Sequence, residues 1–190
     1  MTYPSFTSGD ILTAADMNAV GLWKITTVTA TSGGTVNIAG CFSSTYARYR
    51  LIGTVVGNSA TAYELGFRPY AGAGSPVATG YYWGITRVDI GLGASNVNAG
   101  NNVTYGGIGT IANNAGRGHF VLDISNIQAA QYTTWNSQAT DTRSASGYGG
   151  ISCSGTLSNT TQYDSIQFGY GIWGTGTISN LQIAVYGYRD

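Results

Sequence analysis

Few residues in this chain are suited to covalent chemistry, and none is spaced for it. The one histidine, His119, stands beside Phe120 at the start of the alternating stretch HFVLDIS, where a lone imidazole reads as structural. Cys41 and Cys153 lie far apart with no metal-type spacing, so two buried thiols are expected rather than a disulfide. Serine is abundant, but no G-x-S-x-G elbow occurs. The eight acidic residues are scattered singly, so no carboxylate pair of the glycosidase type is visible. Asp141 followed by Arg143 is no calcium loop. Asn102 and Asn159 head N-x-T triplets, which an Asn- and Thr-rich chain produces by chance. The reading is therefore a non-enzyme with no metal and no cofactor, a glycan-degrading activity ranking last.

Binding chemistry is better supplied. Tyr81, Tyr82 and Trp83 in TGYYWG, Trp135 in YTTWNS and Trp173 in YGIWGTG sit among Gly, Asn and Thr. Flat amphipathic rings beside small polar residues can stack on sugar faces while their neighbours hydrogen-bond hydroxyls. The same rings suit subunit interfaces, or a core in which glycine leaves them room. Three consecutive aromatics on a strand must point to both faces, so at least one ring of YYW lies outside the core. These five residues are the candidate ligand-binding set.

The elements that hold them must be strands. With 190 residues, 43% apolar, the chain suffices for one domain with a real core. Charged residues are only 8%, against roughly 25% in ordinary domains, and formal net charge is zero. Phosphate binding needs a basic stripe, so nucleic acid is not expected as a partner. Proteins near zero charge tend to associate, which points to permanent assembly. No run approaches the roughly 18 apolar residues of a membrane span, so no membrane insertion is expected. The opening MTYPSFTSGD lacks the basic start and apolar stretch of a secretory signal.

From Trp23 onward the hydrophobic period is two. WKITTVTA and GTVNIAG read as paired strands around Ser32-Gly33-Gly34. Tyr49, Leu51 and Val55 share a face, as do Tyr63, Leu65 and Phe67, with Glu64 and Arg68 opposite. Phe120, Leu122 and Ile124 point inward while Asp123 points out; Ile166, Phe168 and Tyr170 alternate, and so do Leu181, Ile183 and Val185. With YYWGITRV, NVTYGGIGTI and SGYGGISCSG this makes nine to eleven short strands. Residues 91–118 are the least patterned, and within them GLGASNVNAGNN and ANNAGRG read as long exposed loops. The expected fold is all-β: an antiparallel β-sandwich, jelly-roll-like, with eight core strands plus extras.

One segment breaks the pattern. In SGDILTAADMNAVGLW, Thr13 can cap a helix with Asp16 completing the box, and Leu12 with Met17 forms a hydrophobic staple. Gly21 is a stop, so a helix is predicted over residues 14–20. So short a helix needs support from its own β-domain, a sister subunit or another protein. The chain thus divides into an arm, 1–22, and a β-domain, 23–190, with Leu12, Thr13, Asp16, Met17 and Val20 as docking residues.

Three stretches resemble tailed-bacteriophage tail and fibre proteins. FTSGDILTAADMNAV is similar to a G-x-x-L-T-A-A-x-x-N segment near their start, CFSSTYARYRLI to an early strand pair of their tip domains, and LQIAVYGYRD to the closing strand. The resemblance covers under a quarter of the chain. It implies a virion structural protein with a jelly-roll-like head, a homotrimer, attached to other virion proteins. Its implied role is host adsorption by non-covalent binding of surface glycans, as a receptor-binding appendage located on the tail. Only some 22 residues precede the β-domain, so the chain is a compact knob rather than a whole fibre. A capsid decoration, cement or head-fibre protein is the alternative.

Overall fold

Burial on one face only, repeated from strand to strand, is what builds this molecule. The computed structural model describes residues 21–57, 64–89, 94–110, 116–143, 147–170 and 176–188. Within them lie twelve strands and no helix: β1 (Leu22–Ala30), β2 (Thr35–Ile38), β3 (Arg48–Gly57), β4 (Glu64–Tyr70), β5 (Tyr81–Asp89), β6 (Ala94–Val103), β7 (Gly106–Thr110), β8 (Gly118–Ser125), β9 (Thr133–Arg143), β10 (Gly147–Leu157), β11 (Ser165–Tyr170) and β12 (Ile178–Tyr188). The predicted helix, and with it Leu12, Thr13, Asp16, Met17 and Val20, lies outside the described residues.

The strands form an eight-stranded sheet in the order β1-β12-β3-β8-β9-β10-β5-β6 and a four-stranded sheet in the order β2-β11-β4-β7. All pairings are antiparallel. Eight of the strands, β1-β12-β3-β8 facing β2-β11-β4-β7, have the interleaved order of a jelly roll: the chain crosses between sheets, and each sheet mixes early strands with late ones. The hairpins β5-β6 and β9-β10 are inserted into this path. They join through β10 and β5 and widen the first sheet from four strands to eight. The expected antiparallel jelly-roll sandwich is the fold.

The core lies between the eight jelly-roll strands. Tyr49, Leu51 and Val55 of β3, Phe120, Leu122 and Ile124 of β8, and Leu181, Ile183 and Val185 of β12 meet Leu65 and Phe67 of β4 and Ile166, Phe168 and Tyr170 of β11. All are buried. Their parity matches the two-residue repeat of a strand with one wet face. Cys41 and Cys153 are both free and buried, as expected, and burial pushes each thiol up to about 12.

Two expectations are corrected. WKITTVTA and GTVNIAG do not pair with each other: β1 pairs with β12 and β2 with β11, in different sheets. The chain changes sheet at Gly33, held at φ +137°, whose carbonyl accepts a hydrogen bond from the Ile178 amide at 2.8 Å. GLGASNVNAGNN is not a loop throughout either, since Ala94–Val103 forms β6, whereas NVTYGGIGTI holds β7 as expected. β6 has almost no hydrophobic alternation to reveal it; its ladder to β5 supplies the order that local propensity lacks.

The CFSSTYARYR and YGYR stretches meet in space. Gly187 pairs with Tyr49, and the Tyr46 ring lies against Gly187, where any Cβ would strike it. Phe42 and Tyr46 both stand edge-on to Tyr49, with centroids 4.7 and 5.9 Å away. The Tyr49 hydroxyl donates to the Ser43 carbonyl and accepts from the Ser43 amide, tying down the preceding loop.

Candidate functional site

The extension formed by β9, β10, β5 and β6 has two unlike faces. Among the described strands its inner face is covered mainly by β7, the strand GGIGT, with Phe67 of β4 reaching Tyr81 and Trp135. Because β7 is mostly glycine, large rings from the neighbouring strands can lie against it: a Cβ on Gly106 would fall 2.5 Å from the Phe67 ring, and one on Gly107 3.1 Å from Trp83. The ring nitrogens are also tied down. Trp135 Nε1 donates to the Gly107 carbonyl at 3.0 Å and Trp83 Nε1 to the Tyr105 carbonyl at 3.1 Å. Ser137 Oγ donates to the Ile108 carbonyl at 2.7 Å.

This geometry sorts the candidate rings. Tyr81 is fully buried, its hydroxyl donating to the Val77 carbonyl at 2.9 Å. Trp135 is 4% exposed and stands edge-on to Phe67 at 5.1 Å. These two rings fill the core, so neither is open to a ligand. Trp83 is half-buried on the same inner side. Tyr82, of opposite parity, is 42% exposed on the outer face. The inference that YYW must place a ring outside the core therefore holds, and Tyr82 is that ring. Trp173 lies outside the described residues.

Around Tyr82 the outer face is hollow. Along β10 the outward positions are Gly150, Ser152, Ser154 and Thr156; beside them on β5 are Val88, Thr86, Gly84 and Tyr82, and on β9 Thr140, Gln138, Asn136 and Thr134. The middle row is small, and its flanks are larger. One open depression of about 490 Å³ is bordered by Thr86, Val88, His119, Val121, Gln138 and Thr140, with Gly150 and Ser152 as its floor. A second, of about 690 Å³, takes in Tyr82, Gly84, Asn101, Thr134, Ser154 and Thr156. Successive outward residues of β10 and β5 line both, so together they make a trough about 20 Å long at about 3.4 Å per residue.

The trough presents hydrogen-bonding and apolar groups. Its lining holds hydroxyls, amides, methyl groups and the Tyr82 phenol ring; Trp83, Gly100, Trp135 and Gly155 also border the second depression, and there is no carboxylate or basic side chain other than the His119 imidazole. His119 is exposed at its upper end, where its backbone amide donates to Thr140 Oγ1 at 3.0 Å. Among the described residues no group of three His, Cys, Asp or Glu side chains is gathered as for a metal ion. Sequence reasoning missed Gly84, Gly150, Ser152, Ser154 and Gln138. Their signal was the alternation in GGISCSG, where Ile151 and Cys153 point in and only small residues point out.

One buried acid lies behind the trough. Glu64 Oε2 accepts from the Tyr105 hydroxyl at 3.0 Å, while Oε1 is buried without a hydrogen-bond partner beside Gly107. Burial raises the Glu64 pKa, and the Tyr105 hydrogen bond pulls it partway back. No helix among the described residues is long and apolar enough to cross a membrane.

No family model matches the chain, and no curated protein matches it. Among solved structures, "Structure of infectious bursal disease virus Gx strain" aligns over 87% of this chain and 38% of that chain, at 12% identity and a TM-score of 0.13. An alignment that loose carries no argument about fold or function.

Proposed function

We propose that this protein is a virion structural protein of a tailed bacteriophage, a compact receptor-binding appendage that meets the host through non-covalent binding of a neutral surface glycan. The observation that carries this reading is the trough on the outer face of the extension. A sugar's C–H face can stack on Tyr82, and its hydroxyls can exchange hydrogen bonds with Thr134, Ser154, Thr156, Thr86 and Gln138. A lining without lysine or arginine fits an uncharged polymer, because an anionic one would find no basic partner there but the His119 imidazole. The jelly-roll body is the head that the sequence resemblance implies. The arm, 1–22, with Leu12, Thr13, Asp16, Met17 and Val20, is then the attachment to the particle, in a homotrimer on the tail.

The test is adsorption of the purified protein to host cells and to their isolated surface polysaccharide. Tyr82→Ala is expected to weaken binding at least tenfold with an unchanged melting temperature, since the ring is a surface group. Labelled protein should locate to the tail on imaged virions. Absence of binding to cells, or label confined to the capsid at tens to hundreds of copies, overturns the reading in favour of a decoration or cement protein. Leu12→Asp combined with Met17→Asp should leave the β-domain folded while incorporation into particles falls. Unchanged incorporation removes the docking role of the arm.

A further inference from the structure

Among the described residues the two sheets end in four edge strands, and three of them are interrupted. β1 carries Lys24 and a bulge between Lys24 and Thr26; β2 runs four residues only; β7 runs five, with a bulge in its pairing to β4 and a positive φ at Gly109. Charges, bulges and shortness are the devices by which proteins keep sheet edges from pairing with other chains. β6 lacks them where it matters. Residues 94–100 pair without a break with Asp89 back to Trp83, and the bulge in this ladder falls only beyond them, between Trp83 and Tyr81. The strand, ASNVNAGNNV, contains no charge and no proline.

The uninterrupted part is also nearly a palindrome. From Val97 outward in both directions, ASNVNAG has Asn96 and Asn98, then Ser95 and Ala99, then Ala94 and Gly100. Antiparallel pairing about a two-fold axis sets each residue opposite the one equally far on the other side of the centre. Centred on Val97, this register matches Val with Val, Asn with Asn, and small residue with small residue. It brings no like charges together. Val97 is also the most exposed large hydrophobic residue among those described, at 77%. Among the described residues nothing covers Val97, whereas a strand added to β6 would set a second Val97 beside it.

We propose that a second copy of this chain pairs with β6 antiparallel through residues 94–100, centred on Val97, and joins two eight-stranded sheets edge to edge. The occupant is a second copy because the palindrome and the absence of charge make this edge complementary to itself. The pairing is independent of what the trough binds and of any three-fold contact made elsewhere on the surface.

The experiment is solution mass by analytical ultracentrifugation, with a cysteine cross-link to read the register. The wild type is expected at twice the mass of Val97→Lys under the same conditions, because the substitution sets two ammonium groups opposite each other. Val97 is exposed, so Val97→Lys should keep the wild-type circular dichroism and melting temperature. On mild oxidation Val97→Cys should form a disulfide-linked dimer, since directly opposed residues lie about 4.5–5.5 Å apart between Cα atoms. Ser95→Cys should not, because each copy's residue 95 is four positions from the other's, about 14 Å at about 3.4 Å per residue. Equal masses for wild type and Val97→Lys overturn the proposal. So do failure of Val97→Cys to cross-link and self-cross-linking by Ser95→Cys that is as fast as by Val97→Cys.

Discussion

The two halves of the large sheet are held by different means. Strands β1, β12, β3 and β8 are roofed by a complete second sheet, and their inner positions are aliphatic and aromatic residues packed against it. Their outer face is clad in charge and rings: Arg50 binds Asp123 through two hydrogen bonds of 2.7 Å, and the Arg48 and Arg50 guanidinium groups lie 5.4 and 5.6 Å from the Tyr188 ring centre. Strands β9, β10, β5 and β6 have mainly one glycine-rich strand for a roof. They compensate with indole rings seated on that glycine, and the outward residues along the trough are uncharged and, on β10, small. The first half makes the domain stable. The second trades covered area for an open surface, and both the trough and the unguarded edge are there.

The largest test of this contrast is Phe168→Ala. That ring is fully buried in the jelly-roll core, with Phe120 at 6.0 Å, so its loss should cost about 3–5 kcal/mol in denaturant unfolding. A cost under about 1 kcal/mol would mean that the roofed half is not what holds the domain.

Two glycines on one strand test the extension. At Gly155, facing inward on β10, a Cβ would come within 2.6 Å of the Tyr82 carbonyl oxygen and would also strike the Trp135 ring. Gly155→Ala should therefore cost about 1–3 kcal/mol and shift the tryptophan fluorescence. At Gly150, facing outward into the trough, nothing lies within 4 Å of an added Cβ. Gly150→Ala should stay within about 0.5 kcal/mol of wild type and act only on ligand binding. Equal costs at the two sites would show that the faces of the extension do not differ as described.

The charged cladding is a weaker support than its short distances suggest. The Arg50 and Asp123 side chains are 38% and 39% exposed, so water screens their attraction. Asp123→Asn should lower stability by less than about 1 kcal/mol at pH 7, and by less still in high salt. A loss of several kcal/mol would place the outer face of the roofed half among its main supports.

What was legible in the sequence follows the same division. A roofed strand must alternate, so Leu122 against Asp123 or Ile183 against Ala184 announces strand and face together, though not the partner, as the misread pairing of WKITTVTA shows. Tyr81 and Tyr82 show where this stops: parity places them on opposite faces, but only the seating of β5 against β7 decides which is inside. β6 was illegible because Ala, Ser and Asn hold their place through the ladder to β5 rather than by burial. The trough escaped notice for a related reason, since a depression is written in residues that are merely small.

Glu64 joins the two regions, and its titration tests the seam between them. It begins β4 of the roofing sheet, lies beside Gly107 of β7, and accepts a hydrogen bond from Tyr105, whose carbonyl in turn holds Trp83 of the extension. Burial raises its pKa, so the folded protein holds this proton to a higher pH than the unfolded chain does. Stability must then fall as pH climbs from the unfolded value, about 4.3, through the folded one, and remain lower above it. Glu64→Gln keeps an acceptor for Tyr105 and removes the ionisation. Its melting temperature should exceed that of wild type at pH 7, and the two should converge as pH falls below about 3.5, where the wild-type carboxyl is largely protonated in both states. Hydrogen exchange should place the change at β5 and β7 and leave β3, β8 and β12 alone. A difference that persists unchanged below about pH 3.5, or exchange altered throughout the jelly-roll strands, would show that the extension does not open separately from the rest.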